Sequence, residues 1–330
     1  MRIHSPHFFQ SFQVVLDRVG HRFLCWLLAA LLGLSTVSSF AETEENAEPV
    51  PVAIVVSLVR QYLEAVEGLS RVMEAKGVEI EVFTLEDYPE RRRAVLREKM
   101  AQRPFECYIG VGEEAARFIW RELEGPNATA LYTIVLNPEK NLPPTRDLCG
   151  ISLNISIAIQ VQKISAALPG SRRIGLLYDP LNNDPFFIQA NQIAGTYGRQ
   201  IVPLKVSSSK EIPGVLEKQL TDIDALWLIP DRTVGFSESI IQFIIETAFL
   251  GRVPVIGYTN FTYESGAALS FIFDYEELGE QTGQLAIEVL QSGVCRSPDP
   301  RFSMQVNRKV IERLDIQLGE EVLEEATTQP

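Results

Sequence analysis

Histidine is almost missing from this chain. There are three, His4, His7 and His21, and all lie within the first 41 residues. A protein cut free of that leader has no Ser-His-Asp or Cys-His nucleophilic machinery and no histidine-based metal site. No G-x-S-x-G, H-E-x-x-H or C-x-x-C motif occurs either. Cysteine is sparse: beyond Cys25 there are only Cys107, Cys149 and Cys295. An odd number permits at most one internal bridge, and three small buried thiols fit equally well. Positive charge is in deficit. Past Ala41 there are 27 Lys and Arg against 42 Asp and Glu, a net of −15. That balance argues against nucleic acid or an anionic membrane surface as partner. Long apolar runs are missing too. The longest, FLCWLLAALLGL from Phe23 to Leu34, falls short of the ~20 residues that cross a bilayer.

What is there begins with that run. Arg2, Arg18 and Arg22 precede it, and Ser39-Phe40-Ala41 puts small residues at the −3 and −1 positions of a cleavage site. The arrangement reads as a secretory signal peptide over residues 1–41, cleaved near Ala41, with a retained N-terminal anchor as the alternative. Cys25 follows Arg-Phe-Leu and is not a lipoprotein cysteine. Residues 42–51, ETEENAEPVP, make an acidic, proline-containing linker. The expectation is a soluble exported protein of 289 residues located in the periplasm.

The remainder alternates. VPVAIVVS (Val50–Ser57) is a continuous β-branched run, as in a strand buried on both faces. A helical stretch from about Gln61 to Lys76 follows, with Leu63, Val66, Leu69, Val72 and Met73 on one face and Gly77 at its end. EIEVFTL, FECYIGVG and ALYTIVL are further strands, separated by helices near 89–102 and 113–123. The rhythm then restarts with RRIGLLYDP, QIVPLKV, ALWLIPD and VPVIGYT, again separated by helices. Strands joined by helices of this length predict right-handed crossovers and parallel sheets. The fold class expected is α/β, with two doubly wound parallel-sheet lobes. Ligands in such sheets sit outside the carboxyl ends of the strands, so two facing lobes hold one between them.

Phe271–Gly293, FIFDYEELGEQTGQLAIEVLQSG, turns from strand to helix without a loop. Asp274 supplies the N-cap, and Asp274-x-x-Glu277 is a capping-box variant with Glu276 and Glu277 in the first turn. Gly279, Gly283 and Ala286 form a small-residue stripe that predicts close approach by a neighbouring backbone, here a sheet.

This segment resembles the signature of a family of ABC-transporter substrate-binding proteins with the type I periplasmic binding fold, some of which bind aromatic amino acids. The matching pieces are Gly266-Ala267-Ala268-Leu269, Asp274-Tyr275, Leu278-Gly279 and Gln281-Thr282. Others run in order: Ile109-Gly110 before Ala115-Ala116, Asn137-Pro138, Gly150-Ile151-Ser152, Gly175-Leu176-Leu177-Tyr178-Asp179-Pro180, then Asp224-Ala225-Leu226 with Asp231. QVNRKVIERLDIQLGEEVLEEA resembles the closing strand and helix, so the likeness spans Val52 to Ala326. The departures fall at strand tips. The family's His-Pro after the first strand is replaced by Ser57-Leu58-Val59-Arg60, Asn137 stands for an Asp, and Arg232 stands where Asn is usual.

The resemblance implies three hinge crossovers, with residues 52–149 plus 275–302 in the first lobe and 150–274 plus 303–330 in the second. It implies a monomer that closes on a small ligand, an amino acid being favoured, and hands it to an ABC permease, with no cofactor and no metal. Strand-tip candidates are Ser57, Arg60, Gly112, Glu113 and Asn137 in the first lobe. In the second they are Tyr178, Asn182, Asn183, Asp231, Arg232, Thr233, Tyr258 and Asn260. Arg60 or a helix start would take a carboxylate, Asp231 or Glu113 an amine, and Tyr62, Tyr178 and Tyr258 a ring. Two other classes stay open. One is a periplasmic sensor without a transporter. The other is an α/β enzyme using Glu113 and Asp231 as an acid–base pair. Gly110-Val111-Gly112-Glu113-Glu114-Ala115 fits a dinucleotide fingerprint, but its two glutamates would repel a pyrophosphate.

Overall fold

The computed structural model describes residues 50–122, 129–320 and 322. The expected signal peptide lies outside the described residues, as does the linker up to Pro49. Among the described residues, no helix is long and apolar enough to cross a membrane.

The first sheet holds β1 (Pro51–Val56), β2 (Glu79–Thr84), β3 (Cys107–Val111), β4 (Thr129–Val135) and β5 (Gly150–Ser152), in the order β2-β1-β3-β4-β5. All its pairings are parallel. Helices α1 (Arg60–Glu74), α2 (Arg93–Ala101) and α3 (Glu113–Glu122) make the crossovers. β1 shows why the β-branched run was needed. Val52, Ile54 and Val56 face α1, while Ala53 and Val55 face the opposite core with Leu96 of α2 and Ile119 of α3. Both faces are covered, so no position along the strand is left polar.

A short α4 (Pro138–Asn141) follows β4, and α5 (Ile157–Ala167) follows β5. The second sheet then collects β6 (Arg173–Tyr178), β7 (Gln200–Lys205), β8 (Ala225–Leu228), β9 (Val255–Gly257), β10 (Leu269–Ile272) and β11 (Ser303–Val306). Its order is β7-β6-β8-β9-β10-β11, parallel except for the antiparallel edge strand β11. Between these strands run α6 (Pro180–Thr196), α7 (Ile212–Gln219), α8 (Glu238–Leu250) and α9 (Asn260–Glu264). The first four strands of each sheet share one winding order, 2-1-3-4, which puts a switch point between the first and third strands.

The chain returns to the first sheet through α10 (Tyr275–Ser292), and α11 (Arg308–Leu314) closes the second. The Asp274 side chain accepts the Glu277 N–H at 3.0 Å, as an N-cap does. Gly293 ends the helix in the left-handed conformation. The small-residue stripe has a different neighbour from the one expected. A Cβ on Gly279 would lie 2.0 Å from the Ala65 carbonyl oxygen, and one on Gly68 would lie 2.1 Å from that of Glu276. The close approach is therefore between two helices, α10 and α1. The sheet meets another part of α10, where buried Thr282 donates to Thr133 of β4 at 2.8 Å. One cysteine pair is bridged, Cys149 to Cys295, while Cys107 is a buried free thiol.

Candidate functional site

The expected residues come to the carboxyl ends of the two sheets, but they do very different work there. In the first sheet, Ser57 follows β1 and is buried. Helix α1 starts only at Arg60, after Val59, which contributes no side-chain cap. Arg60 lies in the first turn but is spent on its own helix, donating to Glu64 at 2.9 Å across one turn. Gly112 has φ +87 and cannot carry a side chain, because the Tyr62 ring lies where its Cβ would be. Its N–H is taken by the Thr133 carbonyl at 2.9 Å. The expectation that this N–H would greet a ligand carboxylate is therefore corrected. Glu113 opens α3, is half-buried and pairs with Arg117 at 3.2 Å.

Ser57, Tyr62 and Glu113 line one groove of about 610 Å³, with Glu86, Glu90, Arg93, Glu114 and Arg117 among its walls. Acids outnumber bases in it. Burial, then the charges of Glu113 and Glu114, push the Tyr62 hydroxyl above its ordinary range. Glu86 went unmarked in the sequence. Its carboxylate reaches from beyond β2 to accept the Leu58 N–H at 2.9 Å and so shapes the loop after β1. No local pattern announces a contact between residues 28 apart in the chain.

The tip of β4 is strained. Ile134 has φ +58, unusual for a β-branched residue, and the pairing with β5 slips there. Asn137 follows at φ +46, and its N–H donates to Asn154 Oδ1 at 3.1 Å. The Asn137 side chain does not cap α4. It remains at the strand end with its amide uncommitted among the described residues.

In the second sheet a network of side chains organises the tips. Asp231 is buried, and both its oxygens are occupied. Oδ2 accepts from the Asp179 N–H at 2.9 Å and from Asn183 Nδ2 at 2.7 Å. Oδ1 accepts from the Thr233 and Val234 N–H groups at 2.8 and 3.1 Å. A carboxylate has about four acceptor positions, and here protein groups fill them. Asp231 is thus a loop organiser with no capacity left for a ligand amine or for the acid–base pair considered above. Thr233 Oγ1 adds a bond to Asp179 Oδ2 at 2.7 Å, tying the loop after β6 to the loop after β8. Asp179 is the residue that sequence reasoning passed over in favour of its neighbour. Its signal was present: an Asp directly before Pro180 at a strand end, where it N-caps α6 through the Leu181 N–H.

Tyr178 is a core residue. It is fully buried, stacks on Phe187 with ring centroids 5.5 Å apart and donates to Asp184 at 3.1 Å. Alternation explains it: the last strand residue points into the core, and the next one is the tip. Asn183 interrupts the helical backbone of α6 to reach Asp231. Asn182, Arg232 and Asn260 are exposed. Asn260 is the first residue of α9, which Thr259 and Thr262 close with a capping box. Tyr258 is half-buried, and burial, then Asp231, raises its hydroxyl pKa. Among the described residues, no strand-tip side chain of one sheet is hydrogen-bonded to a tip of the other. No group of three or more His, Cys, Asp or Glu among them is placed to hold a metal.

Compared with known sequences, residues 128–329 match the model for the ABC transporter substrate binding protein family. The chain belongs to that family. A curated relative, the tyrosine-binding protein of Clostridioides difficile strain R20291, is 26% identical over 150 residues. Those residues are 45% of this chain and 43% of that protein, so the match spans less than half of the relative. Three solved structures share the fold. A ligand-free, open substrate-binding protein with adhesive properties from Clostridium difficile gives a TM-score of 0.66 at 19% identity, covering 81% of this chain and 95% of that one. An ABC domain bound to L-Trp from Streptococcus pneumonia gives 0.58 at 19%, covering 84% and 98%. A conserved domain protein from Vibrio cholerae O1 biovar eltor gives 0.58 at 22%, covering 84% and 99%. This substrate-binding family member therefore has the type I periplasmic binding fold, two α/β parallel-sheet lobes.

Proposed function

We propose that this protein is the periplasmic solute-binding component of an ABC importer, that it works as a monomer and not as an enzyme, and that its ligand is an amino acid or a similar zwitterion. The observation that carries the reading is the unequal use of the tips. Asp231, Asp179 and Thr233 are consumed in building the second lobe's tip, while the side chains of Asn137 at the first lobe's tip and of Arg232 and Asn260 at the second's bond to no described residue, and Glu113 pairs with Arg117 one turn along its own helix. The acidic groove at Glu113 and Glu114 favours a ligand amine. Arg232 makes no ion pair with a described residue and is the candidate for the carboxylate. The half-buried rings of Tyr62 and Tyr258 supply an aromatic wall on each side. The remaining sequence candidates Ser57, Gly112, Asn182 and Asn183 serve as backbone frame and rim.

The Cys149–Cys295 bridge supports export, since such bonds persist in oxidising compartments. Closure uses the three crossovers. We place the lobes at the boundaries read from sequence, with the first extended to Ser152, because β5 completes its sheet.

A thermal-shift screen of L-tyrosine, L-tryptophan, other amino acids, nucleobases and organic acids tests this. A ligand at about 100 times its dissociation constant stabilises the protein by ~2.7 kcal/mol. An amino acid that moves the melt supports the reading. Movement by another class alone ends the zwitterion proposal, and turnover of any compound ends the binding-only one. Glu113→Gln should weaken an amine ligand by about 1.5–3 kcal/mol.

A further inference from the structure

The bridge joins two unusual places. Cys149 immediately precedes β5, the strand that leads out of the first lobe for the first time. Cys295 lies two residues past the α10 cap, Gly293, at the start of the irregular stretch 294–302 that leaves the first lobe for the second time. The covalent loop between them spans 146 residues and contains every strand of the second sheet except β11.

Other bonds reinforce this junction. The Gly150 N–H donates to Ser297 Oγ at 3.0 Å, joining the two exits directly. Gly150 has φ +155, and a Cβ there would lie 2.0 Å from the Tyr132 carbonyl oxygen, so the first exit is pressed against β4. The Tyr132 N–H donates to the Cys149 carbonyl at 2.9 Å. Further along, the Gln281 side chain of α10 grips the second exit from both sides. Its Nε2 donates to the Asp299 carbonyl at 2.8 Å, and its Oε1 accepts the Arg301 N–H at 3.1 Å.

These contacts leave little free chain. The first crossover is pinned through Asn154, which accepts the Asn137 N–H, and α5 begins at Ile157. The second has only Phe273 between β10 and the Asp274 cap. The third is held to Arg301 by Gln281, and β11 begins at Ser303.

We propose that the Cys149–Cys295 bridge, with Ser297 and Gln281, is a staple that ties the first and third crossovers to one anchor on the first lobe. It confines bending to the short pivots at 155–156, 273 and 302, and so limits how wide the lobes open. The proposal rests on the reading that the lobes move relative to each other. It does not depend on which ligand they hold. Without the bridge, residues 294–298 keep the Gly150–Ser297 bond and the local bonds of Val294 to Ser292, and the second lobe gains a longer tether on one side.

The test uses the ligand-free full chain with the bridge formed, with it reduced, and as the Cys149→Ser/Cys295→Ser double variant. Hydrogen exchange and small-angle scattering are read together. Loss of the bridge should speed amide exchange at 153–156 and 294–302 by about tenfold beyond any gain in the strands of either sheet. The ligand-free radius of gyration should rise. Gln281→Ala, with the bridge intact, should speed exchange at 299–302 alone. Equal acceleration everywhere would show a bridge that only holds up the fold, and it overturns the proposal, as does an unchanged radius. A melt shifted by L-tyrosine or L-tryptophan alongside a failed exchange test leaves the binding function standing and removes only the staple. Silence in the ligand screen leaves the staple test intact.

Discussion

Gly279→Ala is the sharpest test of how the two long helices of the first lobe meet. In an open helix the change is favourable by about 1 kcal/mol, because alanine loses less backbone freedom than glycine. Position 279 is not open. The new methyl would lie 2.0 Å from the Ala65 carbonyl oxygen and 2.7 Å from its carbon, where ordinary contact begins at 3.4 Å. Both atoms are backbone, so no side chain can swing aside. The helices must part by about 1.4 Å at their tightest point. That parting loosens Leu69, Met73, Leu278 and Leu285, all packed in the same core. It also stretches the exposed pairs of Arg71 with Glu276 and Glu280, which matter less in water. Overpacking of a close interface costs about 1–3 kcal/mol, and a clash with backbone belongs at the upper end. Subtracting the propensity gain leaves a net loss of about 2 kcal/mol. The assay is the urea unfolding midpoint beside a control, Gly195→Ala in α6. There a methyl meets nothing within 4 Å and should stabilise by about 0.5–1 kcal/mol. A Gly279→Ala protein as stable as its parent would refute the helix-contact argument.

Asp231→Asn replaces two acceptors that face donors with an amide that donates. It should cost about 2–3 kcal/mol in chemical unfolding and leave exchange in the first sheet unaltered. Asn137→Gly keeps the left-handed backbone and should unfold within ~0.5 kcal/mol of the parent, whereas Asn137→Val should lose about 1–2 kcal/mol to backbone strain. If Asn137 contacts the ligand, the Gly variant binds more weakly despite its stability. Burial, then Glu139, pushes the Tyr132 hydroxyl up to about 12, and Tyr258 is raised in the same direction. The folded state thus holds these protons above the ordinary tyrosine value of about 10. Their contribution to stability is fully present below that pH. For Tyr132 it is lost as pH rises from about 10 to about 12, at up to ~1.4 kcal/mol for each pH unit, and Tyr258 adds a loss of the same sign. A pH series of melts that stays flat to pH 12 would contradict this.

The local chemistry of the chain was enough for much of the architecture. A run such as Val52–Val56, apolar at every position, short and rich in β-branched residues, reads as a strand covered on both sides. Asp274 and its two glutamates start a helix by short-range bonds that need no partner from elsewhere, and the strand–helix alternation then leaves two wound sheets as the natural outcome. The composition of the tips was legible for the same reason: strand ends and caps are local events. What each tip residue does was not legible, because it depends on atoms distant in the chain. Asp231 reads as a free carboxylate until Asp179, Asn183, Thr233 and Val234 fill it. Gly112 reads as an open N–H until Thr133 arrives from the next strand. The partner of the glycine stripe depends on which face of α10 turns toward α1. The choice of Cys295 for Cys149, with Cys107 left as a buried thiol, follows only once the two exits from the first lobe lie side by side. Sequence spacing carries the period of an element and the chemistry of its ends, while contacts between residues tens to hundreds of positions apart exist only after the chain has packed.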